Sequence, residues 1–339
     1  MEPKIRVKGF RGEWEESAFT ESFDSLKNNS LSRAELSDSG SVFNIHYGDV
    51  LILYNECVEI NKEVTTFVKD TEIARKLYQS CAIKNGDIIF ADAAEDNTVG
   101  KCTEIIAKED DAIVSGLHTI PCRPTKEFAS RYLGYYLNSK AYHDQLLPHI
   151  QGTKISSISK RAIAQTHISF PCDKEEQKAI ASYFTNLDSL IQSTTKKIES
   201  LKQVKAASLQ SMFPQEGETT PRVRFNGFEG EWIKSVLGKL FTERIESNIN
   251  GEMLSVTLNN GIIKAAENGR YDNSNSDKSH YKLVKINDIA YNSMRMWQGA
   301  SGCSKYEGIV SPAYTVVTPA EGVSSPFFAY LFKTQAIIQ

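Results

Sequence analysis

The sequence predicts an α+β protein in which two related mixed α/β domains are joined by one long coiled-coil-type helix, the second domain being truncated. Three observations lead to this prediction. Residues 174–212 contain neither proline nor glycine, and their apolar side chains recur at steps of three and four. A segment that begins with proline and ends with tryptophan occurs at residues 3–14 and again at residues 221–232. Short runs of β-branched and aromatic residues, bounded by turn formers, follow each copy.

The long helix is predicted over residues 174–213, after Pro171 and the candidate N-cap Asp173 and before Pro214. At 1.5 Å per residue, residues 174–212 alone would form a helix about 58 Å long, which is more than one compact domain needs. Steps of three and four keep one apolar stripe facing a partner helix. The side chains expected at this subunit interface are Ile180, Phe184, Leu187, Ile191, Ile198 and Leu201.

The repeated segment reads PKIRVKGFRGEW in the first copy and PRVRFNGFEGEW in the second. A repeat of this length indicates a duplicated domain rather than a solenoid unit. We therefore expect a first domain over residues 1–173, a linker over residues 214–220, and a second domain over residues 221–339. Matching the aromatic helices pairs Tyr132 with Tyr330, so the second copy is expected to lack the equivalents of residues 142–212.

The charge balance gives no support to bulk attraction for nucleic acid. The chain carries 39 Lys and Arg against 42 Asp and Glu, with a net charge of −3 and a pI of about 6.1. Contact with DNA would therefore require local patches or a basic partner. The six cysteines show no paired spacing, which predicts reduced thiols in a cytoplasmic protein without a zinc site. No apolar run approaches the roughly 18 residues of a membrane helix, so no membrane partner is expected.

No catalytic constellation is predicted. The sequence contains no Walker A pattern, no N-P-P-Tyr/Phe stretch and no glycine-rich fingerprint after a strand. Asp92, Glu95 and Asp96 form an acidic cluster, for which a solvated loop is the better interpretation. His143 and His149 are poorly spaced for a metal. We therefore expect a non-enzymatic protein that needs no cofactor and no metal.

The candidate DNA contacts are polar side chains on loops, several at equivalent places in the two copies. Amide and guanidinium groups can make paired hydrogen bonds to base edges, whereas lysines contact phosphates. For each loop the alternative is a solvated surface turn, and for Trp297 it is a half-buried support of its loop. The candidates are Asn97, Thr98, Lys101, Thr153, Lys154, Lys160, Arg270, Asn292, Arg295, Trp297 and Gln298.

The set of motifs resembles the specificity subunit of type I restriction-modification systems. The motifs are the repeated PKIRVKGFRGEW signature, the QGTK loop at residues 151–154, and the EEQKAIA start of the long heptad helix at residues 175–181. The resemblance implies two target-recognition domains, each reading half of a split site in double-stranded DNA. It also implies two long antiparallel helices that set their spacing and dock methyltransferase (modification) subunits, with a motor-nuclease restriction subunit joining for cleavage.

This chain departs from that pattern because a second long helix is missing, through fragmentation or through shortening of the gene. Two copies are then expected to pair through the helix, or a modification subunit is expected to cover it. The predicted function is a specificity subunit without activity of its own. One alternative is a scaffold or degenerate fragment that binds modification subunits without reading DNA. The other is an enzyme in its own right, which the absent motifs disfavour.

Overall fold

The computed structural model of the chain describes residues 3–96, 98–152, 155–268, 277–334 and 337. The chain is an α+β protein, as the sequence predicts, and it separates into two compact units, Met1–Gln192 and Ser193–Gln339. The division falls within the long helix, so both units contain part of it. The narrower boundaries at residues 173, 213 and 220 remain predictions.

The first unit contains short strands with helices between them. Its strands are β1 (Glu15–Ala18), β2 (Phe23–Ser25), β3 (Leu36–Ser37), β4 (Phe43–Ile45), β5 (Cys57–Glu59), β6 (Thr66–Val68), β7 (Ala82–Ile83), β8 (Ile88–Ala91), β9 (Ala93–Ala94), β10 (Cys102–Ile106), β11 (Ile113–Ser115), β12 (Thr119–Pro124), β13 (Ser156–Ser157) and β14 (His167–Phe170). Its helices are α1 (Phe19–Ser22), α2 (Tyr47–Ile52), α3 (Thr71–Cys81), α4 (Tyr132–Leu137), α5 (Lys140–Leu146) and α6 (Lys160–Ile163), with 3₁₀ turns at Arg33–Glu35 and Leu147–His149.

The long helix, α7 (Lys174–Ser211), begins in the first unit and ends in the second. The second unit then contains helices α8 (Leu237–Leu240) and α9 (Ser325–Leu331), with 3₁₀ turns at Ala265–Asn268 and Ser293–Gln298. Its strands are β15 (Phe241–Glu243), β16 (Leu254–Thr257), β17 (Gly261–Lys264), β18 (Lys282–Val284), β19 (Ile289–Asn292), β20 (Ser301–Cys303), β21 (Gly308–Val310) and β22 (Tyr314–Pro319).

Sheets in the two units share one strand order. A sheet of the first unit runs β2-β12-β8-β10-β5, and a sheet of the second runs β15-β22-β19-β20. The registers agree as well: Phe23 lies opposite Pro124, and the equivalent Phe241 lies opposite Pro319. The duplication inferred from the N-terminal signatures therefore extends through the main sheet.

The strand registers give an offset of 195 positions between Pro124 and Pro319. The predicted pairing of Tyr132 with Tyr330 corresponds to an offset of 198. These registers do not extend into α4 and α9, so that pairing stays a prediction. Aromatic residues are so dense in these helices that more than one register matches by residue type alone.

A buried carboxylate recurs in both units and takes its arginine from different strands. Asp87, before β8, binds Arg123 of β12 at 2.8 and 2.6 Å. The equivalent Asp288, before β19, binds Arg244, which follows β15, at 2.6 and 3.1 Å. Thr318 occupies the position equivalent to Arg123 and donates its hydroxyl to Asp288 at 3.1 Å. Both carboxylates are thereby satisfied, as a buried charge requires.

The main core of the first unit lies between its large sheet and the elements that follow it. Phe90 and Tyr142 are fully buried there, and Ile168 and Phe170 of β14 join them. The described part of the second unit has a smaller cluster on the equivalent face of its sheet, built from Phe241, Ile289 and Phe332.

Candidate nucleic-acid interface

The loop after β19 presents several of the predicted contact residues. The Asn292 side chain caps the 3₁₀ turn by accepting the Met294 amide at 3.0 Å, and Gly299 ends the turn with φ of +75°. The loop is therefore held in place, while Trp297 is 68% exposed and does not support the loop from within. Within the described ranges no carboxylate lies at ion-pair distance from the exposed Arg295.

Gln298 is also exposed on this turn. A guanidinium, an amide and an indole on one fixed turn are the side chains that can read base edges and pack on sugars or bases. Asn292 retains its amide donors because only its oxygen is used by the cap. These four residues are brought together, and their contact with DNA remains a prediction.

The equivalent loop of the first unit follows β8. The Asp96 carboxylate accepts two hydrogen bonds from Thr98, one from the backbone amide at 2.9 Å and one from the side-chain hydroxyl at 2.5 Å. Lys101 is turned inward: its ammonium donates to the carbonyls of Leu51 and Tyr54 at 3.1 and 2.8 Å, and burial lowers the pKa of that ammonium. A phosphate contact through Lys101 would first require release of these two bonds, whereas Thr98 is exposed.

Beside that loop lies a cleft of about 480 Å³ that sequence reasoning did not identify. His118, in the left-handed region with φ of +55°, places Nδ1 3.0 Å from Asp92 Oδ1. Tyr47 packs edge-on against the His118 ring at 5.3 Å between centroids. The acidic loop residue Asp92 is therefore part of an ordered contact. The sequence gives no signal for this cleft, because the segment SGLHTIP does not reveal that His118 has a left-handed backbone conformation.

Of the remaining predicted contacts, one lies within the residues that the structure describes. Lys160, at the start of α6, is exposed and donates to the Leu26 carbonyl at 3.0 Å. Four other residues lie outside the described residues, namely Asn97, Thr153, Lys154 and Arg270. Their roles remain predictions.

The apolar stripe of α7 is largely exposed. Ile180 packs partly against the first core, and Phe184 stacks on Tyr135 with ring centroids 5.2 Å apart. Further along, Leu187 is 38% exposed and Ile191 is 64% exposed. Ile198 and Leu201 are also exposed, together with residues that the seam prediction omitted: Tyr183, Leu190 and Val204. Contiguous exposed apolar side chains of this kind mark interaction sites.

The start of α7 is fixed to the first unit by polar contacts. Both oxygens of Glu176 bind the Arg6 guanidinium at 2.7 Å, and the Glu176 side chain is only 1% exposed. Gln177 accepts the Ala129 amide at 2.9 Å and donates to the Pro171 carbonyl at 2.8 Å. These contacts explain two parts of the sequence pattern, since the arginine of the signature and the EEQ of the helix start bind each other.

The described ranges show neither a metal-binding cluster nor a helix suited to a membrane. They contain no group of three or more His, Cys, Asp and Glu side chains arranged to hold a metal ion. In the same ranges, none of the helices combines the length and apolar character that a membrane crossing needs.

The structure therefore combines two related sheets, different side chains on the equivalent loops, and one long helix with an exposed apolar stripe. Comparison with known proteins agrees. The model of the type I restriction modification DNA specificity domain matches residues 11–203. Because this match covers more than half of the chain, the protein belongs to that family.

Individual relatives are distant. A putative type I restriction enzyme MjaX specificity subunit from Methanocaldococcus jannaschii is 26% identical over 129 residues, which span 38% of this chain and 30% of that relative. The solved type I restriction-modification S subunit from M. genitalium superposes with a TM-score of 0.54 at 14% identity, covering 98% of this chain and 79% of that one.

A second solved structure comes from work on complex assembly and conformational transition of a type I R-M system. It gives a TM-score of 0.51 at 13% identity, covering 97% of this chain and 80% of that one. At these identities both structures show a shared fold.

Proposed function

We propose that this chain is the DNA sequence-specificity subunit of a type I restriction-modification complex. The observation that carries the proposal is the pair of equivalent loops, after β8 and after β19, on sheets of one strand order. The second loop exposes Arg295, Trp297 and Gln298 where the first exposes Thr98. Different side chains on one scaffold are what two different half-sites require.

The mechanism is recognition without catalysis. The loops read base edges, and lysines such as Lys160 add phosphate contacts that do not depend on sequence. The apolar stripe of α7 docks methyltransferase subunits or a second copy of the chain, and a motor-nuclease subunit joins the assembly for cleavage. Bound partners supply part of the positive charge, which reconciles DNA binding with a net charge of −3. The compartment of such a complex is the cytoplasm.

The same helix supports a second candidate, a scaffold that binds modification subunits without reading DNA. Its basis is the extent of exposed apolar surface on α7, which needs a partner whether or not the loops meet DNA. The two candidates differ in one respect, namely sequence preference.

Methylation mapping separates them. We expect that co-expressing this chain with its neighbouring modification subunit, in a host without such systems, produces a methylated adenine motif. The motif should be split, or symmetric and repeated, and it should vanish without the chain. A symmetric motif would mean that two copies use the first domain twice. Co-purification of the subunits with no motif would establish the scaffold instead.

Arg295→Ala is expected to change base preference in one half-site only. A paired contact of arginine to guanine contributes about 1–3 kcal/mol of discrimination. The measurement is the methylation rate on duplexes that vary in one half-site. Lys305→Ala, an exposed lysine of the same unit, serves as a charge-matched control and should leave the preference intact. An unchanged preference in Arg295→Ala would make that residue a structural one.

A further inference from the structure

The corner where the turn between β11 and β12 meets the end of β8 carries a histidine–carboxylate pair. Asp92 is the first residue after β8, and His118 is the last residue before β12. The Asp92 amide donates to the His118 carbonyl at 3.0 Å, and His118 Nδ1 lies 3.0 Å from Asp92 Oδ1. Backbone and side chain therefore hold the imidazole against the same residue.

The equivalent corner of the second unit is built without this pair. The strand registers place Ser293 and Ala313 there, because β19 pairs with β22 in the register in which β8 pairs with β12. Ser293 donates its hydroxyl to the Ala313 carbonyl at 3.3 Å. The contact between the two chain segments is kept, whereas the ring and the carboxylate belong to the first copy. The fold of the corner therefore does not need them.

The pair leaves one ring nitrogen of His118 for a ligand. A carboxylate only accepts hydrogen bonds, so Nδ1 carries a proton and donates it to Asp92. The neutral ring then offers Nε2 as an acceptor. Within the part of the chain that the structure describes, Nε2 has no hydrogen-bond partner. The His118 side chain is 50% exposed, so a ligand can reach this nitrogen while the turn stays folded.

The backbone of His118 is held in a conformation that its residue type disfavours. Its φ of +55° lies in the left-handed region, which costs free energy for a residue with a Cβ and none for glycine. The equivalent Ala313 does not have a positive φ. Residues held in this way cluster at ligand-binding sites, where the position of a side chain matters more than the strain.

The cleft of about 480 Å³ beside the pair suits a group that donates hydrogen bonds and carries no negative charge. One wall is apolar and comes from α2, whose Ile52 is 82% exposed. The other wall comes from the loop after β8 and includes the carboxylates of Glu95 and Asp96. These accept hydrogen bonds and repel phosphates. An amine on the edge of a base is a group of the required kind.

We propose that His118 is a specificity-determining residue of the first domain, whose Nε2 accepts a hydrogen bond from an exocyclic amine, adenine N6 or cytosine N4. Both amines are accessible in the major groove. Asp92 is a positioning residue, because it fixes the ring and its proton without touching the base. The inference rests on the function proposed above and adds the atom that reads one base of the first half-site.

Methylation of a duplex library by the chain in complex with its modification subunit tests the role of His118. The library varies each position of both half-sites of the mapped motif. His118→Gly removes the ring and suits the left-handed turn, so the fold is kept. We expect about a tenfold loss of preference at one position of each half-site that the first domain reads, and no change elsewhere.

Removing the amine from the base at that position tests the contact itself. The base is replaced by purine where it is adenine, or by 2-pyrimidinone where it is cytosine, at a position other than the methylated adenine. Wild-type methylation should slow about tenfold. His118→Gly should show no further loss on this duplex, because the two changes remove the same hydrogen bond. A full additional loss would overturn the contact.

Two variants of Asp92 test positioning. Asp92→Ala removes the acceptor for Nδ1 and should weaken preference at the same position. Asp92→Asn keeps an oxygen that accepts from Nδ1 and should largely restore the preference. A residue with only a structural role would slow methylation of every duplex equally, so that result in Asp92→Ala would overturn its positioning role.

His167→Ala is the matched control, since His167 is another exposed histidine of the first unit. It should leave preference unchanged at every position. A wild-type complex that produces no motif would overturn the proposed function and this inference with it. A clear wild-type motif that His118→Gly leaves unchanged, or methylates more slowly on all duplexes alike, would overturn the inference alone.

Discussion

Replacing Glu176 with alanine is expected to lower the free energy of unfolding of the first domain by about 3 kcal/mol, because removing one partner leaves the other charge buried and unpaired. The Glu176 carboxylate holds Arg6 through two bonds of 2.7 Å and is almost entirely buried. Its loss detaches the N-terminal signature from the start of α7. Chemical denaturation followed by far-UV circular dichroism measures the change.

Glu175→Ala is the matched control for this prediction. Glu175 is the preceding residue of the same helix turn, and its carboxylate pairs with Lys178 in solvent. Exposed pairs of this kind contribute about 0–1 kcal/mol, so the midpoint should barely move. Equal losses in the two variants would mean that the general charge of the helix start matters and the specific pair does not.

Replacing Leu187 and Ile191 together with aspartate is expected to abolish association through α7. An interface that buried two new carboxylates would incur their desolvation, which is several kcal/mol for each unpaired charge. Association should weaken more than a hundredfold. The first domain should remain folded because both side chains are exposed in the chain itself. Light scattering after size-exclusion chromatography measures self-pairing, and co-purification measures docking of the modification subunit.

The control carries the same charge on the opposite face of the helix. Ser189→Asp with Ser193→Asp adds two carboxylates at exposed positions. Ser189 lies two residues after Leu187 and Ser193 lies two residues after Ile191, so this variant should leave association unchanged. Unfolding of the first domain in the seam variant would identify the stripe as ordinary core. A wild-type chain that stays monomeric would exclude self-pairing and leave the modification subunit as the partner of α7.

The long helix and the duplication were predictable because both depend on patterns that are local in sequence. The apolar spacing and the absence of proline and glycine located α7 to within two residues of its observed end at Ser211. The contact of Arg6 with Glu176 was not predictable from spacing, since 170 positions separate the two residues. The structure shows that the two residues form an ion pair because the fold places the signature against the start of α7.

Prediction was weakest for the candidate DNA contacts. Residue type correctly suggested exposed polar loops, as in Arg295 and Gln298. It could not show that the Lys101 ammonium is occupied by two backbone carbonyls, because that depends on where α2 ends in space. It also missed the cleft beside His118, whose backbone geometry arises from the turn between β11 and β12.

The carboxylates Asp87 and Asp288 have a consequence for tracing the ancestry of such proteins. A column-by-column alignment of the two halves scores Arg123 against Thr318 as a lost charge, and Leu26 against Arg244 as an unrelated gain. In the structure the two differences compensate each other. Arg123 binds Asp87, and Arg244 binds the equivalent Asp288 from the position of the neighbouring strand. Methods that score such columns jointly would detect kinship between recognition domains that single-position identity conceals.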